Sequence, residues 1–215
     1  MVNFILGLTV GGHFSICTKL ISIITMICVA ISYSFSPQLF NLYSRHKYLD
    51  LKKISISTVK ITSVVMSILI AIVMVYSEEI IIIWVGSEFI DILPSLNIML
   101  IGLMFSCFIM PTYCISIMYL RMKIPSMVTL GLGLLNIVLT IGFTILLNLD
   151  MLGAALSWTI LLIIKNCFFN SMYHSKLLTG THYLFVKNQL SIIAIFLLSY
   201  GVNYCIHFWL IPNSI

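Results

Sequence analysis

Apolar residues in this chain come in long blocks rather than in alternation. Six runs dominated by Leu, Ile, Val and Met, at about Phe14 to Phe35, Ser57 to Tyr76, Pro94 to Tyr119, Ser126 to Leu147, Met151 to Tyr173 and Asn188 to Ile211, are separated by short polar segments. A helix rising about 1.5 Å per residue needs about 20 apolar residues to cross a hydrocarbon core roughly 30 Å thick. Each run meets that length, some with the help of a flanking lysine. None shows the polar/apolar alternation of a barrel strand, and helices and closed barrels are the structures that satisfy their own backbone in lipid. The pattern predicts an all-α, polytopic transmembrane bundle of about six helices. The longest connection, about Ser36 to Ile56, leaves room for one short amphipathic or irregular segment, so residues 1–215 read as a single transmembrane domain.

Composition agrees with the pattern. Of the 215 residues 61% are hydrophobic and 8% charged, and a soluble protein of this size cannot hide that much apolar surface. Apolar segments recur along the whole length, so no N-terminal stretch needs reading as a cleaved signal peptide. The formal charge of +5 would suggest nucleic acid in a soluble domain; here the basic residues lie in short loops, which points to orientation in a bilayer and no nucleic-acid partner.

The charges alternate from loop to loop. Arg45, Lys47, Lys52, Lys53 and Lys60 flank the first connection, Arg121 and Lys123 the third, and Lys165, Lys176 and Lys187 the fifth. Glu78, Glu79, Glu88 and Asp91 occupy the second and Asp150 the fourth. Cytoplasmic loops retain Lys and Arg, so the odd connections are expected in the cytoplasm and both termini outside, in a multi-pass protein of the cytoplasmic membrane. The stretch SEEIIIIWVGSEF, Ser77 to Phe89, then falls where the second helix leaves the outer face. Trp84 suits an interfacial aromatic and Gly86 a helix end or turn.

Few residues offer chemistry. The six cysteines show no metal spacing and read as small, reduced, buried side chains. The five histidines are scattered; no metal-protease, nucleophile-elbow or phosphate-loop motif occurs, and no carboxylate pair lies within a run. The expectation is no enzyme, no cofactor and no metal. Lys19, five residues into the first run, is either a cavity-facing cation for an anionic substrate or a lysine snorkelling to outer headgroups. Lys60 and Lys165 can reach the inner interface by snorkelling. Arg45 and Lys47, with Lys52, Lys53, Tyr43 and Tyr48, either hold anionic headgroups or a substrate phosphate, or serve orientation alone. Pro111 removes a backbone hydrogen bond in mid-run and predicts a kink in the third helix, a feature that often serves a gate in transporters. Asn136, Gly131 and Gly133 read as helix-packing residues.

Several stretches in fixed order, GGHFSICTKLISII, FSPQLFNLYSRHKYLDLKK, EEIIIIWVGSEF, PTYCISIMYLRMK, LLNIVLTIGF and LDMLGAALSW, together resemble the polysaccharide (O-antigen type) flippases of the multidrug/oligosaccharidyl-lipid/polysaccharide exporter superfamily. The family's helix-ending proline, outward Trp/Leu-x-Gly-x-x-Phe element and outward Gly-Ala-Ala turn correspond to Pro37, Trp84 to Phe89, and Gly153 to Ala155. The resemblance spans about Gly11 to Ser175 and matches the second half of an architecture of twelve or fourteen helices in two lobes. It implies one lobe of a transporter that moves lipid-linked oligosaccharide across the cytoplasmic membrane, with membrane lipid, the lipid-linked glycan and a first lobe or second subunit as partners. Lys19 is its first candidate for a diphosphate-binding cation and Lys60 the second, followed by Arg45 and Lys47, with Pro111 as a gating kink. The alternatives are a multidrug or organic-cation exporter of the same superfamily, and a non-transporting membrane subunit or truncated remnant.

Overall fold

A computed structural model describes residues 7–179 and 185–210. His182 and the end of the sixth run at Ile211 lie outside the described residues, as does the Lys187 side chain. The described residues are helical, with no strand among them. In chain order the helices are α1 (Leu8–Ser34), α2 (Ser36–Ser44), α3 (Tyr48–Val75), α4 (Ser77–Trp84), α5 (Leu93–Ile109), α6 (Tyr113–Met118), α7 (Lys123–Ile141), α8 (Asp150–Ile163), α9 (Ser171–Thr179) and α10 (Val186–Leu210). Five stretches are long and apolar enough to cross a bilayer: Val10–Ser44, Tyr48–Val75, Ser87–Met118, Lys123–Leu146 and Asp150–Leu178. A shorter apolar stretch, Ile193–Trp209, lies within the 25-residue α10.

Each predicted run is found as a helix or a pair of helices, but several helices overrun it. α1 begins at Leu8 rather than Phe14, and α3 at Tyr48 rather than Ser57. An apolar run measures hydrocarbon thickness, whereas a helix continues into polar sequence as long as nothing breaks it. The segment after the first run is itself helical: Pro37 opens α2 in its first turn, where its missing N–H costs nothing. Pro94 opens α5 in the same way.

The helices pack with α5 at the centre, touching α1, α3 and α8; α10 lies along α3, and α7 lies outermost against α8. Lipid tails are as apolar as Leu, so helices in a bilayer associate through close packing and interhelical hydrogen bonds rather than water exclusion. The buried face of α3 is accordingly rich in small and hydroxyl residues, Ser55, Thr58, Thr62, Ser63, Ser67 and Ala71. Between α5 and α8 the Thr159 hydroxyl donates to Ile98 O at 3.0 Å. A Cβ placed at Gly102 would lie 3.1 Å from the Thr159 backbone, so a side chain there would press against α8 and force it to shift. Gly153 plays the same part for the π-helical turn Gly142–Leu146, where a Cβ would meet the Phe143 backbone at 3.0 Å. In contrast, a Cβ at Gly131 or Gly133 would meet nothing among the described residues, so the packing role expected of them is not exercised there.

Two buried clusters mark the two ends of the bundle. One joins Cys17, Ile81, Ile92, Met99 and Met151; the other joins Leu39, Leu51, Ile115, Met118 and Phe185. Glu78, Glu79, Glu88, Asp91 and Asp150 sit beside the first; Arg45, Lys47, Lys52, Lys53, Arg121 and Lys123 sit beside the second. The fold therefore has an acidic and a basic end. At the acidic end Gly86, with φ 114°, ends α4 in a backbone conformation that L residues rarely adopt. Its N–H donates to Ile81 O at 3.1 Å, and Phe89 turns back to meet the His13 ring edge-on at 5.2 Å. Trp84, half exposed, stands at this rim.

Candidate functional site

Two facing helices break at the same level. Pro111 lacks an N–H, and the chain passes from α5 through a 3-10 turn, Met110–Thr112, into α6. Opposite, α8 widens into a π-helical stretch, Ile164–Asn170, before α9. α5 packs against this stretch, and α6 against α9. Each break frees backbone groups that hydrocarbon cannot solvate, so nearby side chains must take them up. Thr112 Oγ1 donates to Ile109 O at 2.6 Å, and Ser171 Oγ to Asn166 O at 3.1 Å.

Side chains then join the two breaks. The Thr112 hydroxyl lies 2.6 Å from His174 Nδ1. Its one proton is donated to Ile109 O, so the tautomer that fits has the ring's Nδ1–H donating to Thr112 Oγ1. Tyr113 OH donates to Asn166 Oδ1 at 3.1 Å, and Asn170 Nδ2 donates to the same oxygen at 2.8 Å. The Tyr113 and His174 rings meet edge-on at 5.8 Å. Thr112, Asn166, Asn170 and His174 are all at most 2% exposed. Asn166 Nδ2 has no hydrogen-bond partner among the described residues.

A cavity of about 500 Å³ opens beside this network. Tyr113, Ser116, Asn170 and His174 line its inner wall, Lys165 its deeper end, and α1 and α7 close it with Tyr33, Ser126 and Thr129. Tyr173 OH donates to Arg121 O at the basic end, at 2.9 Å. Lys165 is eight residues further up, about 12 Å deeper along the helix. Among the described residues no acid lines the cavity, and the one ion pair lies elsewhere. The Tyr113, Ser126, Thr129 and Asn170 protons go to protein acceptors, which leaves the Lys165 ammonium as the cation of a lining with no acid, a set suited to an anion.

That ion pair is at the acidic end, where His207 near the end of α10 meets Glu79 on α4, Nε2 to Oε1, at 2.6 Å. The Tyr76 ring stacks edge-on against His207 at 5.2 Å. Partial burial pushes the Glu79 carboxyl up, but the hydrogen bond from His207, the backbone hydrogen bond and the imidazole charge together hold it below the ordinary carboxylate value. The pair ties α10 to the α3–α4 turn.

The residues expected to carry function are not gathered in one place. Lys19 and Lys60 are exposed on the flanks of α1 and α3, and Arg45 and Lys47 are exposed at the basic end. None of the four lines the cavity; Pro111 adjoins it, and Lys165, read from sequence as a snorkelling residue, faces it. Sequence reasoning missed Thr112, Tyr113, Asn166, Asn170 and His174. A signal was present: Asn166, Asn170 and His174 recur every four residues in an otherwise apolar run, which places them on one side of a helix. Neither end of the Glu79–His207 pair carries such a signal, because 128 residues separate them.

No family model matches the chain, and no solved structure does. The chain is similar to an uncharacterized membrane protein, EpsK, of Bacillus subtilis (strain 168), with 25% identity over 185 residues. The match covers 86% of this chain and 37% of that protein, so the chain spans well under half the relative's length. Together with the helices, this places the chain among multi-pass membrane proteins.

Proposed function

We propose that this chain is one lobe of a two-lobe transporter that moves a lipid-linked oligosaccharide, a polysaccharide precursor, from the cytoplasmic to the outer leaflet, and that it needs a second lobe to do so. The observation that carries the reading is Lys19. It lies exposed on α1, six residues below His13, whose ring marks the level of the acidic-end loop, hence about 9 Å down the helix. It has no acidic partner among the described residues. An ammonium at that depth is costly against lipid tails and suits the wall of a polar cavity shared with another lobe. Gly12, Ser15 and Ser22 share its side of α1.

The resemblance of the motifs to the second lobe of the polysaccharide flippases supports this reading. So does the length of the similar membrane protein, which exceeds this chain enough to hold a further lobe. A diphosphate cannot cross hydrocarbon unaided. Lys19 would receive it, with Lys60, Arg45 and Lys47 nearer the basic end, while the break at Pro111 lets the wall move as the lobes open alternately. The acids other than Asp50 cluster at one end and, among the described residues, none lines the cavity, which favours an anionic substrate over an organic cation.

The test is flipping of a fluorescent lipid-linked sugar in vesicles holding this chain with a co-expressed first lobe. Transport is expected only with both present, and Lys19→Gln is expected to slow it about tenfold or more. Flipping by the purified chain alone would overturn the two-lobe requirement, and an unchanged rate for Lys19→Gln would remove that residue from the site.

A further inference from the structure

We infer that the cavity at the two helix breaks is a binding site, within this single lobe, for the phosphate head of a membrane lipid, with Lys165 as its cation. The inference requires only a bilayer around the chain; it does not depend on transport or on a second lobe.

Four observations converge. Lys165 lies about 12 Å from the basic end, lines the cavity and has no carboxylate beside it among the described residues, since the acids other than Asp50 sit at the opposite end. A cation so placed lacks a counter-ion from the described part of the chain. Secondly, Ser116 Oγ is without a partner: the residue is 3% exposed, its hydroxyl has no hydrogen bond among the described residues, and it lines the same cavity. A buried hydroxyl left unpaired is destabilising by itself, and a ligand oxygen reaching it would satisfy it. Thirdly, the neighbouring polar groups, Tyr113 OH and the Asn170 amide, are held by hydrogen bonds to Asn166. They are positioned before any ligand arrives, so little ordering cost remains.

The fourth observation separates a lipid from a free ion. The most deeply buried lining residues, Ser116, Asn170 and His174, are polar, while the mouth carries large apolar side chains, Leu130 69% exposed, Met122 47% and Ile117 41%, beside the exposed Tyr33, Ser126 and Thr129. A free phosphate gains nothing from such a mouth. A lipid whose head enters the cavity can lay its chains along it. The chemistry is a phosphate whose oxygens accept from the Lys165 ammonium and the Ser116 hydroxyl, beside a wall fixed by Tyr113 and Asn170, whose own protons go to Asn166 and to each other.

Native mass spectrometry of the whole chain in a neutral detergent tests this. The probes are dioleoyl phosphatidic acid, dioleoylglycerol with the same chains and no phosphate, and inorganic phosphate. One saturable phosphatidic acid is expected, bound at least about tenfold tighter than dioleoylglycerol and not displaced by inorganic phosphate at concentrations matching the lipid's. Lys165→Gln is expected to lose that tenfold preference and Lys165→Arg to keep it. Ser116→Leu, which fills the cavity, should lose it as well, and Lys176→Gln, a change at the same end outside the cavity, should not. Phosphatidic acid binding to Lys165→Gln as to the wild type would overturn the site. Displacement by equimolar inorganic phosphate would overturn the lipid assignment in favour of a free anion. All variants must elute as the same monodisperse species, and the Arg variant controls for misfolding.

Discussion

Replacing Thr112 with valine keeps the side chain's shape and removes its oxygen. In the native chain that oxygen donates to Ile109 O and accepts from His174 Nδ1–H, at 2.6 Å in each case. The Thr112→Val change strands the imidazole donor in a site where His174 is 1% exposed. An average side-chain hydrogen bond inside a membrane protein contributes only about 0.6 kcal/mol, with a maximum near 1.7. A buried donor left without a partner costs more, about 1–3 kcal/mol. The second effect governs here, because a ring so deeply buried is out of reach of solvent, so Thr112→Val is expected to cost about 1–2 kcal/mol. At roughly 2–4 °C per kcal/mol for a chain of this size, the melting temperature in detergent falls by about 2–8 °C. His174→Phe removes the donor, and Thr112 remains satisfied by Ile109 O. Adding Thr112→Val to His174→Phe should therefore cost little more than His174→Phe alone. The assay is reversible unfolding of wild type, both single variants and the double variant in mixed micelles. A coupling energy of about 1 kcal/mol is expected. Additivity to within about 0.3 kcal/mol would refute the hydrogen bond across the breaks.

The other predictions concern the acidic end and the chain's direction. Glu79 is held below its ordinary value of about 4.3. Its contribution is thus present above that value and lost as pH falls through the lower folded value. The pair is partly exposed, 27% for His207 and 36% for Glu79, and solvent screening limits it to about 0.5–1 kcal/mol. Melting curves of wild type and Glu79→Gln should differ at pH 6 and converge near pH 3; superposition at both would refute the pair's role. For direction, five cysteines are buried and Cys205 is exposed, so Cys205→Ala supplies a quiet background. In intact cells an impermeant maleimide should label Glu88→Cys and spare Asp50→Cys; the reverse result overturns the proposed orientation.

The helices are legible in the sequence because each is decided locally. A run of 20 apolar residues has one stable form in lipid, and the alternation of acidic and basic connections by itself sorts the two ends. Gly86 and Pro111 are legible for the same reason, since a positive φ or a missing N–H acts on its own segment. The site is not. Lys165 next to one apolar run looks the same whether it snorkels or faces a cavity, and the difference is made by Tyr33, Ser116 and Thr129 on three other segments. The Gly-Ala-Ala turn shows the opposite limit. Gly153 stands out as part of a family motif, but its physical requirement, the Phe143 backbone lying where a Cβ would be, exists only once α8 has packed on the turn before it.

The polar network explains why the two breaks lie together. A single break in hydrocarbon leaves backbone groups that must find partners in its own helix or in a neighbour. With both breaks at one level, Thr112 and His174, and Tyr113 with Asn166 and Asn170, serve each other as well as the backbone. The halves of the two helices nearer the basic end, α6 and α9, pack together and are joined to the rest of the bundle through this layer. On the gating role proposed for Pro111, movement between the halves would exchange hydrogen bonds within the layer rather than expose regular helix to lipid. The cavity with Lys165 opens on that layer. On the proposed lipid site, a ligand seated there would contact both halves and would favour whichever arrangement of α6 and α9 holds it better.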